Sequence, residues 1–269
     1  PSMAGVTVIE YPDDIPPTIL SALLDLNSGV LQVLASEPMR ISYLNTTQII
    51  LINDNTTFFS IEGSSIYQTV DDVRTNITLP EVLRAVLVQF TGTPGGDGEK
   101  LSLNMLQNGL QDMGLNPNEE LLNVSLTEIG DTTPPRVLGA ELDLTNGILS
   151  LNMSETVDAS ISGRLSGQYS NSPFPIDQNK IYVSNSESTS DVNVSMQDAS
   201  ISNTSSTIIK FNLTEAQRAQ LILLSGTPGG DTVPTVLNVD EGAFHDLSVN
   251  DNHKKYGIPI LEFPDVESP

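Results

Sequence analysis

The sequence has no cysteine, no tryptophan, and only 11 lysine or arginine residues among its 269. The absence of cysteine excludes a disulfide framework, a thiolate zinc site and cysteine redox chemistry. The shortage of basic residues, with a net charge of −23, argues against binding to nucleic acid, whose phosphates attract lysine and arginine. It also argues against an anionic membrane surface. No apolar run reaches about 18 residues, so we expect no membrane insertion.

What the sequence does contain is a large internal repeat. Residues 16–37, PPTILSALLDLNSGVLQVLASE, match residues 134–155, PPRVLGAELDLTNGILSLNMSE, without a gap. Residues 79–97, LPEVLRAVLVQFTGTPGGD, match residues 213–231, LTEAQRAQLILLSGTPGGD. The offset is 118 residues at the start of the repeat and 134 at its end, so the second copy has 16 additional residues. Each copy is long enough for one sandwich-type domain with its own core.

The end of the repeat occurs three times. VTVIEYPDDIPP at residues 6–17 aligns with VSLTEIGDTTPP at 124–135 and with IPILEFPDVESP at 258–269. The last two copies end the two repeats, whereas the first copy precedes repeat one. The sequence therefore predicts an N-terminal linking strand in residues 1–15, followed by domains in residues 16–132 and 133–269.

Local patterns within each repeat indicate an all-β fold. TILSALLDL and VLQVLAS flank a turn at Asn27-Ser28-Gly29 and predict a β-hairpin. Pro80 and Thr214 stand where a short helix begins, and we expect a strand between that helix and SGTPGGD. The complete prediction is two tandem immunoglobulin-like β-sandwich domains, each with one short helix, preceded by the extra N-terminal strand.

Several short motifs recur in both repeats. They are Ser-Glu after the second strand, an arginine in the helix before GTPGGD, and an aspartate followed by two asparagines before the final strand. This combination resembles bacterial-type Ig-like repeats of the SbsA/SwmB-like group, and the resemblance covers nearly the whole of both repeats. It implies tandem domains of a large surface or extracellular protein, which serve as spacers, adhesion stalks or fibre subunits.

Each repeat has a cluster of aspartate and asparagine residues before its final strand, and these two Asx clusters are the best metal candidates. Carboxylate and amide oxygens at alternating positions suit a hard cation such as calcium, but Asx residues also build turns by bonding to the backbone. Both interpretations stay open, and no glutamate follows at the spacing of an EF-hand. The candidate ligands are Asp112, Asn116 and Asn118 in repeat one and Asp246, Asn250 and Asn252 in repeat two.

No set of residues points to catalysis, and we expect that the protein is not an enzyme. His245 and His253 occur only in repeat two, without zinc or Ser-His-Asp spacing, and we expect them at the surface. The TPGGD segments lack the Lys-Ser/Thr of a phosphate loop and predict tight turns. Arg84 and Arg218, at equivalent positions, are expected to form structural ion pairs.

Eight Asn-x-Ser/Thr sequons predict a secreted, N-glycosylated protein of the cell surface. Their number exceeds the chance expectation of about four, and the chain is rich in serine, threonine and asparagine. Asn152 lies inside an apolar strand, where a buried face would leave it without a glycan. The eight candidate acceptors are Asn45, Asn55, Asn76, Asn123, Asn152, Asn193, Asn203 and Asn212.

The leading hypothesis is a structural subunit of an extracellular, glycosylated fibril or surface appendage. Copies of the chain would assemble head-to-tail by strand complementation, adding the N-terminal strand to an exposed sheet edge of the next copy. A first alternative makes this strand the tail of a removed domain in a longer tandem array. A second alternative is a calcium-dependent adhesion or glycan-binding module of a larger surface protein. The residues of the assembly strand are Val6, Thr7, Val8, Ile9, Glu10 and Tyr11.

Overall fold

The computed structural model describes residues 8–54, 56–159, 176–186, 193–201 and 204–266. Over these residues the protein is all-β with two short helices. The chain divides into two compact units, residues 1–131 and 132–269. Each unit is a β-sandwich-like domain, as the repeat predicted. The immunoglobulin-like topology stays a prediction.

Over its described residues, the first unit contains one α-helix, α1 (Glu81–Val88), and seven strands. The strands pair in the order β4-β3-β6-β7-β1-β2-β5. Their bounds are β1 (Ile19–Asp25), β2 (Val30–Met39), β3 (Ile49–Asn53), β4 (Thr57–Ser60), β5 (Asp72–Thr78), β6 (Ser102–Met105) and β7 (Leu121–Ile129).

The second unit repeats this order with one more strand at an edge. Its strands pair as β11-β10-β14-β15-β8-β9-β13-β12, and its helix is α2 (Glu215–Leu224). The additional strand, β12, follows β11 in the region where repeat two is longer. The bounds are β8 (Val137–Asp143), β9 (Ile148–Val157), β10 (Ile181–Ser184), β11 (Asn193–Ser195), β12 (Ser200–Ile201), β13 (Ser206–Asn212), β14 (Val236–Val239) and β15 (Lys255–Phe263).

The opening hairpin of each unit follows directly from its residue pattern. Alternate apolar side chains are buried, for example Leu24 on β1 and Leu31 on β2, which are paired across the hairpin. The turn places Gly29 at a φ of +66°, a conformation that glycine adopts without the steric cost of a Cβ. Gly147 has the same role in unit 2, at a φ of +64°.

The helix of the second unit extends over residues that were predicted to form a strand. Thr214 and Gln217 form a capping box at the start of α2, which then continues to Leu224. The expected strand between the helix and SGTPGGD is therefore wrong. Gln217 and Leu221 are buried one turn apart, so the segment follows the helical period. Among the described residues, no helix is long and apolar enough to span a bilayer.

The final strand of each unit joins two groups of strands. The first half of β7 pairs antiparallel with β6, with Val124 opposite Leu103. Its second half pairs parallel with β1, with Leu126 opposite Ala22. Likewise β15 pairs first with β14 and then with β8. The final strand thus occupies an interior position, whereas β4 and β5 are the edges of the first unit.

The described part of the predicted N-terminal strand, residues 8–15, is not paired with another strand in the single chain. No strand is assigned at residues 8–18, and Val8, Ile9 and Tyr11 are exposed. Val6 and Thr7 lie outside the described residues. A strand requires a neighbour for its backbone groups, and the described part of the chain gives residues 8–11 no pairing partner.

Candidate functional site

A glutamate in the final strand of each unit binds the loop that follows the helix. The Glu128 carboxylate on β7 accepts a hydrogen bond from Gly92 N–H at 3.0 Å and one from Leu101 N–H at 2.8 Å. In unit 2 the Glu262 carboxylate on β15 accepts from Gly226 N–H and Thr235 N–H, both at 3.0 Å. Because charged acceptors form the stronger hydrogen bonds, this glutamate ties both ends of the loop to the last strand.

The enclosed TPGGD segment is a turn, and its glycines are required by geometry. Gly95 has a φ of +90°. A Cβ on Gly96 would lie 2.0 Å from Thr91 O, and one on Gly230 would lie 2.0 Å from Ser225 O. No side chain fits at either site, which explains why both repeats carry the motif.

An arginine of the helix holds the aspartate that follows the final strand. Arg84 Nη1 donates to Asp131 Oδ2 at 2.6 Å and to Leu26 O at 2.9 Å. Its Nε and Nη2 also donate to the two carboxylate oxygens of Glu81. Burial alone would lower the pKa of the Arg84 guanidinium, but the bonds with Glu81 and then Asp131 raise it above its ordinary value. The expected structural ion pair is therefore present.

Unit 2 repeats this arrangement closer to solvent. Arg218 Nη1 donates to Asp265 Oδ2 at 2.6 Å and to Leu144 O at 2.9 Å, and Glu215 receives the other donors. The side chain of Arg218 is 23% exposed, against 8% for Arg84. Each unit therefore has the same three features at its end: a buried apolar side chain in the final strand, a glutamate that binds the loop, and an aspartate bound by the helix arginine.

The N-terminal segment (residues 1–15) has residues of the same three kinds, but its described part pairs with no strand in this structure. The alignment equates Val8 with Leu126 and Ile260. These two side chains are 4% and 7% exposed, whereas Val8 is 73% exposed. Glu10 aligns with the two loop-binding glutamates, and Asp13 aligns with the two arginine-bound aspartates. The sequence prediction of an assembly strand included Glu10 but missed Asp13, although the aspartate recurs in all three copies.

The Asx clusters bind their own loops. The two Asp112 carboxylate oxygens accept from Asn116 N–H and Asn116 Nδ2 at 2.7 and 2.8 Å. Asn118 Oδ1 accepts from Leu110 N–H at 2.7 Å, and its amide donates to two backbone carbonyls. These contacts fulfil the turn interpretation, while calcium binding stays a prediction.

Unit 2 has the same bonds. Asp246 accepts from Asn250 N–H and Asn250 Nδ2, both at 2.8 Å. Asn252 Oδ1 accepts from Phe244 N–H at 2.7 Å. The two loops therefore share one internal scaffold, in which aspartate and asparagine side chains replace backbone partners.

The candidate ligand Asp112 lies in a cluster of carboxylates that sequence spacing did not indicate. Oxygens of Asp13, Glu37 and Asp112 lie within 4.8 Å of one another. Asn116 Nδ2 also donates to Asp13 O at 3.1 Å. Partial burial raises the pKa of Glu37, and the nearby Asp112 and Asp13 raise it further. This cluster brings Asp13 of the N-terminal segment next to the rest of unit 1. Carboxylate oxygens are ligands that calcium accepts.

The two histidines differ in environment. His245 is buried, with Nδ1 2.5 Å from Asp251 Oδ1, which corrects its expected place at the surface. Asp251 belongs to the loop of the second Asx cluster, and repeat one has Gln111 at the position of His245. His253 is exposed, as expected.

Six of the sequon asparagines lie within the described residues, and all six are exposed. Asn152 is exposed too, because alternation along β9 turns its side chain outward while Leu151 and Met153 point inward. Asn55 and Asn203 lie outside the described residues. The six exposed acceptors are Asn45, Asn76, Asn123, Asn152, Asn193 and Asn212.

No protein-family model matches the chain, and no curated protein matches it. Among solved structures, the N-terminal part of the bacterial S-layer protein SbsC is 9% identical with a TM-score of 0.30, over 75% of this chain and 45% of that one. The S-layer protein rSbsC(31-844) gives the same identity and TM-score over 93% of this chain and 26% of that one. A marsupial T cell receptor is 10% identical with a TM-score of 0.20, over 94% and 74%. The chain spans less than half of either S-layer chain, and likeness at this level assigns no family.

Proposed function

We propose that this chain is a non-catalytic structural subunit of an extracellular, glycosylated linear assembly. Its N-terminal segment joins it head-to-tail to the next repeat domain, which in a homopolymer belongs to another copy of the chain. A head-to-tail contact of this kind does not close on itself, so it builds a filament or a surface appendage.

One observation carries the proposal. Val8 is exposed at a position that is buried in both other copies of the same segment. A sequence that retains buried-strand residues, a loop-binding glutamate and an arginine-binding aspartate fits a segment whose partner lies outside the two sandwiches. Exposed sequons and the scarcity of basic residues support an extracellular location rather than a nucleic-acid or membrane partner.

The test is electron microscopy of material from cells that make the protein, with peptide mass spectrometry of the same preparation. We expect linear structures that contain this chain, with N-linked glycan on several exposed sequons. Recovery of the chain only inside cells, without glycan and as single particles, would refute the proposal.

The cluster of three carboxylates at Asp13, Glu37 and Asp112 supports a second candidate function, that of a calcium-dependent adhesion module. Calcium at about 100 times its Kd would raise the free energy of unfolding of unit 1 by about 2.7 kcal/mol. Glu37→Gln should remove this effect, whereas Glu62→Gln, at an exposed site, should keep it. Identical unfolding curves in calcium and in EDTA would eliminate this candidate. The absence of tryptophan weighs against sugar stacking.

A further inference from the structure

The partner of the N-terminal segment can be specified from the two final strands inside the chain. Both occupy interior positions, between β6 and β1 in unit 1 and between β14 and β8 in unit 2. A segment with the same sequence pattern is therefore suited to an interior position rather than to a sheet edge. This inference rests on the proposed function and names the acceptor.

The apolar pattern of the segment matches an interior position. Val8 aligns with Leu126 and Ile260, which are buried, and Ile9 aligns with Leu261, which is 57% exposed. One face of the segment thus carries side chains of core type, and the other carries side chains that remain at the surface. An interior strand of a sandwich with one solvated face has this pattern.

The polar pattern specifies what the acceptor contains. Glu10 aligns with glutamates that accept two backbone N–H bonds from the loop around TPGGD, and Asp13 aligns with aspartates that accept from a helix arginine. An acceptor must therefore offer free loop N–H groups and a helix arginine at the same spacing. A sheet edge offers neither.

We propose that the N-terminal segment is the final strand of an acceptor domain of this same repeat type whose own final-strand position is open. Val8 enters the core of the acceptor domain, Glu10 binds the acceptor's loop around TPGGD, and Asp13 binds the arginine of the acceptor's helix. In the described chain, β7 and β15 fill the two positions of this kind. An intact copy of the chain therefore accepts the segment only after it releases one of these strands.

The test opens an acceptor position in the full-length chain. Ile260→Asp places a carboxylate where a side chain is 7% exposed, which weakens the hold on β15. We expect Ile260→Asp to form linear oligomers by sedimentation velocity, with at least a doubling of the average mass, at a concentration where the parent chain is monomeric. The N-terminal segment of one copy then replaces β15 of the next.

Matched substitutions in the segment separate specific assembly from aggregation. Adding Val8→Asp should return the variant to monomers, whereas adding Ile9→Thr should leave its oligomers, because Thr127 occupies the equivalent site in β7. A cysteine pair tests the register of the segment against β8, because the chain has no other cysteine. Leu261, the equivalent of Ile9, pairs with Glu141, so Ile9→Cys and Glu141→Cys are combined in the variant. Oligomers should become cross-linked between copies under mild oxidation.

A synthetic peptide of residues 5–15 completes the test. It should raise the melting temperature of unit 2 in Ile260→Asp and should not bind the parent chain. Tight binding to the parent chain would show addition at a sheet edge and overturn the inference. Monomeric Ile260→Asp without rescue by the peptide, or oligomers that persist with Val8→Asp, would also overturn it. If native material forms filaments but any of these contrary results is obtained, the proposed function is retained and the contact between copies lies at another surface.

Discussion

The arginine that holds the final strand gives the sharpest stability prediction, because it occurs twice in different surroundings. Arg84 and Arg218 make the same set of bonds. The side chains of Arg84 and Asp131 are 8% and 2% exposed, whereas those of Arg218 and Asp265 are 23% and 24% exposed. Replacing each arginine by methionine keeps much of the aliphatic stem and removes the charge. The two variants therefore compare one interaction at two depths.

We expect Arg84→Met to lower the free energy of unfolding of unit 1 by about 3–5 kcal/mol, since it removes one partner of a buried ion pair. For a domain of this size the loss corresponds to a decrease in melting temperature of about 10–20 °C. Arg218→Met should produce a clearly smaller decrease in unit 2, because solvent screens the charges that remain. Adding Asp131→Asn to Arg84→Met should recover part of the loss.

Differential scanning calorimetry of the full chain and the variants is the assay. Transitions are assigned to the units by the variant that moves them. An Arg84→Met decrease no larger than that of Arg218→Met would refute the argument that burial sets the cost of the broken pair. A double variant less stable than Arg84→Met alone would refute the claim that the Asp131 charge causes the loss.

Two further predictions concern the loop and the hairpin turn. Gly96→Ala should destabilise unit 1 by about 3 kcal/mol or more, because its Cβ would lie 2.0 Å from Thr91 O. Gly139→Ala should be near neutral for unit 2, since no atom lies within 4 Å of its Cβ. A urea midpoint of unit 1 in Gly96→Ala equal to that of the parent chain would contradict this reasoning. Hydrogen bonds from the Asn146 side chain and backbone N–H lower the pKa of Asp143 below its ordinary 3.8. Its stabilisation is therefore complete above that value and lost as the pH falls through the lower folded pKa. Asp143→Asn should reduce the loss of unit 2 stability on acidification, measured by urea unfolding between about pH 6 and pH 2.5, and an unchanged acid profile would count against the turn as its source.

Much of each domain was predictable because the relevant contacts are short in sequence. Alternation at period two identified β1, β2, β8 and β9, and the turn glycines located their hairpins. The start of α2 was readable from its capping residue Thr214. The end of this helix was not, because a short apolar run such as QLILL suits a helix or a strand equally well by pattern.

The site was only partly predictable for a similar reason. Spacing along the chain grouped Asp112 with Asn116 and Asn118, and the structure shows that these residues bond within one loop. It also brings Asp112 to Glu37 and Asp13, which are distant in sequence. Local spacing carries no information about such neighbours, because chain folding sets their distance.

The sequence by itself determined that the chain contains two repeats and three copies of the final-strand segment, since both facts follow from matching residues. Only the tertiary structure decided what a final strand does. It showed that β7 and β15 lie in interior positions, and that a glutamate and an aspartate fasten each of them to a loop and a helix. Arg84 and Asp131 are 47 residues apart, and Arg218 and Asp265 are separated by the same interval. Contacts at that separation depend on the packing of the whole domain, which no local pattern encodes.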